Sequence, residues 1–237
     1  MQAIILAGGK GTRLKPYTTI LPKPLVPVGE YPILEIVVRQ LKHAGFSEVI
    51  ISTGYLAQLI EAYFGNGKKW DIDIKYVCEE KPLNTAGALK LIKNLKDNFL
   101  VMNGDILTDM NFAEIMRLHL KNRPHATIAT ARRKMHSEFG VLEIDSSGFL
   151  KNYTEKPIHQ YIVSTGVYAL SRVTVDLIQN NEVIGMPELF IRLISEGKKV
   201  LCHESEASWL DIGRVQDFEM AQEEFAQNKR KYLLNVD

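Results

Sequence analysis

The stretch Ala3-Ile4-Ile5-Leu6-Ala7-Gly8-Gly9-Lys10-Gly11-Thr12-Arg13-Leu14, with Pro22-Lys23-Pro24 close behind it, decides the reading of this chain. The continuous apolar run from Ala3 to Ala7 predicts a strand buried on both faces. It puts the glycines at that strand's carboxyl end, the edge where open α/β sheets take their ligands. Without Cβ atoms, Gly8, Gly9 and Gly11 let successive backbone N–H groups turn toward an anion, while the Arg13 guanidinium can grip a phosphate bidentately. Lys23 stands between two prolines that restrict the local backbone, which holds a flexible ammonium in place. A polyphosphate suits this arrangement. Tight strand-to-helix turns need glycine for their own sake, so the loop alone does not decide the matter. Spelling removes two alternatives. A P-loop has Gly-Lys-Ser/Thr, whereas Lys10 is followed by Gly11, and a dinucleotide fingerprint needs glycine where Leu14 stands.

Composition narrows the partners. The 237 residues are 46% hydrophobic, enough for one α/β domain with a sizeable core, and 29 basic against 28 acidic residues leave a net charge of +1. That balance gives no field to draw nucleic acid or an anionic membrane, so a small-molecule partner is expected, and a homo-oligomer is allowed. The amino terminus lacks the parts of a signal peptide and no run reaches membrane-spanning length, so a cytoplasmic location is expected. Cys78 and Cys202 read as buried free thiols, and the six histidines are too scattered for zinc. Arg132-Arg133-Lys134 and Lys229-Arg230-Lys231 read as solvated charge.

Periodicity predicts a helix from Ile33 to Gly45, another over Leu56 to Phe64, and a third capped by Thr85 and bearing Ala88, Leu89, Ile92 and Leu95. Strands are expected at Val49–Thr53, Ile72–Tyr76 and Phe99–Asn103. Past Asp105 come a capping box at Asn111 and Glu114, strands at Ala126–Thr130, Gly140–Ile144 and Tyr161–Leu170, and helices at Pro187–Glu196 and Val215–Asn228. The alternation predicts an α/β fold with a single doubly wound, mostly parallel mixed sheet, Rossmann-like, forming one domain over 1–237. A nucleotide-binding half of about 1–110 and a second half of about 111–237 would share that sheet, with the site in the cleft between them.

Leu6-Ala-Gly-Gly-Lys-Gly-Thr-Arg-Leu14 and Pro22-Lys-Pro24 are joined by Glu79-Glu-Lys-Pro-Leu-Asn-Thr-Ala-Gly87, Asn103-Gly-Asp105, Glu155-Lys-Pro157, Ser164-Thr-Gly166 and Trp209-Leu-Asp-Ile-Gly213. In this order, over nearly the whole chain, they resemble the sugar-1-phosphate nucleotidyltransferases, nearest to the mannose-1-phosphate guanylyltransferase branch. The resemblance implies transfer of a nucleoside monophosphate from a nucleoside triphosphate to a sugar 1-phosphate, with release of pyrophosphate. GTP with mannose 1-phosphate or a related manno-configured sugar is the first expectation, and UTP, dTTP or CTP with another small phosphate the alternative. A catalytically silent regulatory subunit is the rival from another class, and Arg13, Lys23, Asp105 and Asp211 standing together speak against it.

The resemblance also implies roles. Leu6, Ala7, Gly8, Gly9, Gly11, Thr12, Arg13, Lys23, Glu80, Asn84, Thr85, Ala86, Gly87 and Gly104 would bind the nucleotide, with Lys23 on the α-phosphate and Arg13 on the departing pyrophosphate. Asp105, Gly140, Glu155, Lys156, Thr165, Gly166 and Trp209 would bind the sugar phosphate, and Asp105 and Asp211 would hold Mg²⁺. Arg13, Lys23 and Asp105 would carry the catalysis. Each also has a plain reading: Asp105 as a helix cap, Asp211 as a turn residue, Glu155-Lys156 as a surface ion pair. The chain departs from the pattern at Asn84, where guanylyltransferases are expected to have glycine, and at Ser164-Thr165, where many relatives have Asn-Ala.

Overall fold

A computed structural model describes residues 1–233. Along them run β1 (Gln2–Ala7), β2 (Pro27–Val28), β3 (Tyr31–Pro32), α1 (Ile33–His43), β4 (Glu48–Thr53), α2 (Ala57–Phe64), β5 (Asp73–Cys78) and α3 (Asn84–Gly87). Next come β6 (Asn98–Asn103), β7 (Ile106–Thr108), α4 (Phe112–Asn122), β8 (Ala126–His136), β9 (Val141–Ile144), β10 (Leu150–Thr154) and β11 (Ile158–Ser171). The last elements are α5 (Met186–Ser195), β12 (Val200–Glu204), β13 (Trp209–Asp211) and α6 (Val215–Leu233).

The central sheet has seven strands in the order β12-β8-β11-β6-β1-β4-β5. Neighbours are parallel except around β11, which runs antiparallel to both β6 and β8. That reversed strand stitches the second half onto the first. The apolar run of β1 is buried on both sides because helices cover both faces. Ala3, Ile5 and Ala7 meet Leu34, Val37 and Leu41 of α1 and Phe112 of α4, while Ile4 meets Leu189 of α5. A third cluster packs α6, through Phe218, Ala221 and Phe225, on Leu14, Val26 and Ile36. No helix among the described residues is long and apolar enough to cross a membrane.

Several expectations change. Instead of one helix from Thr85 to Leu95 there is the short α3, then a 3-10 stretch over Ala88–Leu91 that ends at an extended Ile92. Thr85 does not cap it. Its hydroxyl accepts from the Met186 N–H, and the Ala86 and Gly87 N–H groups both donate to the Ile184 carbonyl, so contacts from a distant segment override local propensity. Asn111 accepts from the Glu114 N–H at 3.1 Å, but the Glu114 carboxylate turns to Arg117, leaving half a capping box. Cys78 and Cys202 are free but exposed, because both stand on the edge strands β5 and β12. The strands expected near Ala126 and Tyr161 run further, as a ribbon tipped by the β9–β10 hairpin.

Candidate active site

The carboxyl ends of β1 and β6 meet at the glycine loop. Gly104, at the end of β6, donates its N–H to the Leu6 carbonyl at 2.9 Å, which aims the next residue, Asp105, into the same corner. The glycine at position 11 is required: its φ is +60°, and a Cβ there would lie 3.0 Å from both Lys23 Cβ and Thr18 Cγ2. The Lys23 stem therefore packs directly on the loop. Lys23 is 9% exposed, held in a 3-10 turn by the Leu25 N–H to Pro22 carbonyl bond of 2.8 Å, and its ammonium forms an ion pair with Asp105 Oδ2.

Asp211 arrives from the other half. The β13–β7 pairing sets Asp211 opposite Ile106, and the Ile212 N–H donates to the Asp105 carbonyl at 3.0 Å. Although Asp211 reaches solvent, its carboxyl is pushed above the ordinary value, first by desolvation and then by the like charge of Asp105, with Lys23 and Arg13 pulling the other way. Arg13 completes the group: its guanidinium lies against Gly213, 3.7 Å from where a Cβ would sit. Two carboxylates close enough to repel, beside two cations, would suit a hard divalent ion shared with phosphate oxygens. Asp105 Oδ1 is buried and without a hydrogen-bond partner, an acceptor such an ion would satisfy.

A cleft of about 270 Å³ opens from this corner. Of the residues expected on the nucleotide, Leu6, Ala7, Gly8, Gly9, Lys23, Asn84, Thr85 and Gly104 line it. Gly11, Thr12 and Arg13 lie outside its lining, the last two exposed beside it, and Glu80 is exposed. Ala86 and Gly87 are buried behind the wall with their N–H groups already used, so they present no open backbone to a base. Asn84 has φ +64°, and its Oδ1 accepts from the Thr85 N–H at 2.8 Å. The lining also includes Pro24 and Asn103, together with Glu79 and Pro82 of the stretch Glu79–Gly87 expected to read the base, none of them individually given a role above. Glu79 spans the wall: Oε2 accepts from the Leu83 N–H at 2.9 Å and Oε1 from the Ser52 hydroxyl at 3.1 Å. Carrying the alternation of β5 one residue past Cys78 would have found it, since Glu79 shares a side with Val77 and with Ser52 of β4.

The residues expected on the sugar fall into two groups. Thr165 is fully buried; its hydroxyl donates to the Ala129 carbonyl and its own carbonyl accepts from Trp209 Nε1 at 2.7 Å. The Arg133 guanidinium stacks on the Trp209 ring, 4.9 Å from its centre. Gly166 has φ +76°, and a Cβ there would lie 2.7 Å from Asn103 Nδ2, so only glycine lets β11 approach the end of β6. Gly140, Glu155 and Lys156 stand apart, in the neck of the hairpin, where the Tyr153 hydroxyl donates to Glu155 Oε2 at 2.9 Å. None of these three lines the 270 Å³ cleft.

A family model described as nucleotidyl transferase matches residues 2–228. The chain is 33% identical to the mannose-1-phosphate guanylyltransferase of Mycobacterium tuberculosis and 32% identical to the UTP–glucose-1-phosphate uridylyltransferase of Synechocystis sp., each over 92% of this chain. It spans only 62% and 61% of those relatives' own lengths. The crystal structure of HddC from Yersinia pseudotuberculosis is similar over 94% of this chain and 99% of its own, with a TM-score of 0.74 and 25% identity.

Proposed function

The chain belongs to the nucleotidyl transferase family, and from that premise we propose that it joins a nucleoside triphosphate and a sugar 1-phosphate into a nucleotide sugar and pyrophosphate. The observation that carries this reading is the meeting of Arg13, Lys23, Asp105 and Asp211 at the open corner of a glycine-loop cleft. A phosphate oxygen of the sugar 1-phosphate attacks the α-phosphorus, the bond from that phosphorus to the bridging oxygen breaks, and pyrophosphate leaves with the electron pair. The nucleophile is already charged, so positioning and charge stabilisation are what the protein must supply. Lys23 and Arg13 supply fixed positive charge to the triphosphate. Asp105 and Asp211 would hold Mg²⁺, which when bound offsets phosphate charge. Residues of about 1–110 build the nucleotide side, and those of about 111–237 the sugar side.

GTP with mannose 1-phosphate, or a related manno-configured sugar, is the proposed pair. Glu79 favours this base: each of its oxygens accepts one bond within the wall, from Leu83 or Ser52, and keeps a second lone pair for two adjacent donors, which the guanine N1–H and N2 amino group provide. Uracil and thymine set a single N–H between two carbonyls, which a carboxylate repels. The guanylyltransferase relative agrees with this choice and the uridylyltransferase relative marks the alternative. The test is pyrophosphate release from purified protein with GTP, UTP, dTTP, CTP and ATP against a panel of sugar 1-phosphates. GTP with mannose 1-phosphate should rank first. No release with any pair would leave the silent binding subunit as the better reading.

A further inference from the structure

The outer halves of β8 and β11, with the β9–β10 hairpin at their tip, form an arm unlike the rest of the surface. Past Thr130, β8 pairs only with β11, because β12 ends opposite it at Glu204, and before Val167 β11 pairs only with β8. The hairpin is a separate two-stranded sheet. Its register places Leu142 opposite Tyr153 and Ile144 opposite Leu150, so these four share one face, each 54–65% exposed, while Glu143 and Asn152 take the other. Phe139 and Phe149 extend the apolar surface at either end and are more exposed still. A lone two-stranded ribbon is marginal in water, and a continuous exposed apolar face of this kind marks a contact surface.

We propose that this face is covered by the same face of a second copy of the chain, the two arms lying antiparallel about a two-fold axis. The charge pattern selects this occupant. The base of the arm, residues 131–136 and 158–163, carries Arg132, Arg133 and Lys134 and no carboxylate. The outer part, 137–157, carries Glu138, Glu143, Asp145 and Glu155 against Lys151 and Lys156. An antiparallel copy sets the acidic tip of one arm on the basic base of the other, and does so twice. A nucleic acid or a uniformly charged partner would match one end of the arm and be repelled by the other. Two of the basal cations are engaged within the chain, Arg132 with Glu204 and Arg133 with Trp209, whereas Lys134 has no ion pair among the described residues. It is the cation that would meet the partner's Glu155, whose carboxylate accepts from Tyr153 and so stands on the side of the apolar face. The net charge of +1 leaves little long-range repulsion between copies.

Sedimentation equilibrium of the full chain tests this directly. The expected mass is twice the 26.9 kDa of one chain, and a monomer at concentrations of tens of micromolar overturns the proposal. The double variant Leu142→Asp, Ile144→Asp changes only exposed side chains, and circular dichroism should show an unaltered fold. It should sediment as a monomer, and a persisting dimer would place the interface elsewhere. Orientation is read by charge reversal: Lys134→Glu and Glu155→Lys should each weaken association about tenfold, and the two combined should restore it. Failure of that rescue would overturn the antiparallel arrangement.

Discussion

At the glycine-loop corner, backbone and side chains from β1, β6 and β13 hold one another through short-range contacts, and its charged groups already face each other in opposed pairs. The arm, by contrast, is two strands wide with both faces in water, and its charges are strung along it by sign. The difference separates two uses of polarity. The corner sets its charges against one another at short range, whereas the arm leaves apolar area and several charges without a match. Substitutions in the corner should therefore change turnover before fold. Substitutions on the arm should change association and leave the monomer intact.

The strongest way to press that contrast is Asp105→Asn, which keeps shape but removes a charged acceptor. Turnover in a pyrophosphate-release assay should fall roughly 10³-fold while circular dichroism stays unchanged, and excess chelator should abolish the wild-type rate. Full activity in chelator would sink the metal assignment.

A second test addresses how the arm's strands are anchored. At their inner ends sits His119, buried, with Nδ1 on the Thr127 hydroxyl of β8 and Nε2 near Asn98 of β6 and Ser171 of β11. Burial lowers its pKa to about 4, against an ordinary value of 6.5. The unfolded chain therefore binds the proton more readily between those values, so this group's contribution is complete above pH 6.5 and is lost as pH falls toward 4. Acid melting should carry a penalty of about 3 kcal/mol from this site. His119→Gln should flatten that part of the stability profile, and an unchanged slope would show that the ring titrates normally.

Lys23→Ala and Arg13→Ala come next, each expected to lower turnover about 10²-fold. The two should differ in stability: Lys23 is packed on Gly11, while Arg13 is exposed and its loss should leave the melting temperature within a degree or so. Equal losses of melting temperature with intact turnover would make both structural.

The smallest effect concerns Asn84. Its left-handed backbone accepts glycine without strain, so Asn84→Gly separates a base contact from a turn residue. A base contact predicts about a tenfold change in kcat/KM for GTP relative to UTP. A preserved ranking would remove Asn84 from base selection.

Much of the fold was legible because burial leaves a period in the sequence. The apolar run of β1, the helical stripe of α1 and the strands β4 and β6 all carry it, and all lie where that pattern places them. In the outer arm, β9 was legible as the strand at Gly140–Ile144, whereas β10 and the run of β8 past Thr130 were not, because without burial little separates a strand from an exposed loop. Thr85 was misread for another reason: its partner is 101 positions away in sequence, at Met186. Position within the sheet decided the two cysteines, and nothing local to Cys78 or Cys202 says that its strand is an edge. At the corner, spacing suggested an anion cradle in the glycine loop, and the resemblance was needed to make Lys23 its phosphate ligand. Asp211 beside Asp105 rested on resemblance, because the β13–β7 pairing that joins them is a long-range event. Glu80 also rested on resemblance, and the carboxylate that lines the cleft is its neighbour Glu79.

The bonds between the cleft wall and the segment before α5 bear on engineering. Leu83 accepts from the Ile184 N–H at 3.1 Å, Ile184 accepts from both Ala86 and Gly87 at 3.0 Å, and Met186 donates to Thr85 at 2.8 Å. The Glu182 carbonyl fills the space a side chain would need at Gly87. A grafted loop of different sequence at 79–87 would therefore lose its backing unless 182–186 travelled with it. Swapping base preference between two such proteins is a two-piece transplant, and a library that randomises only the nearer piece samples mostly misfolded walls.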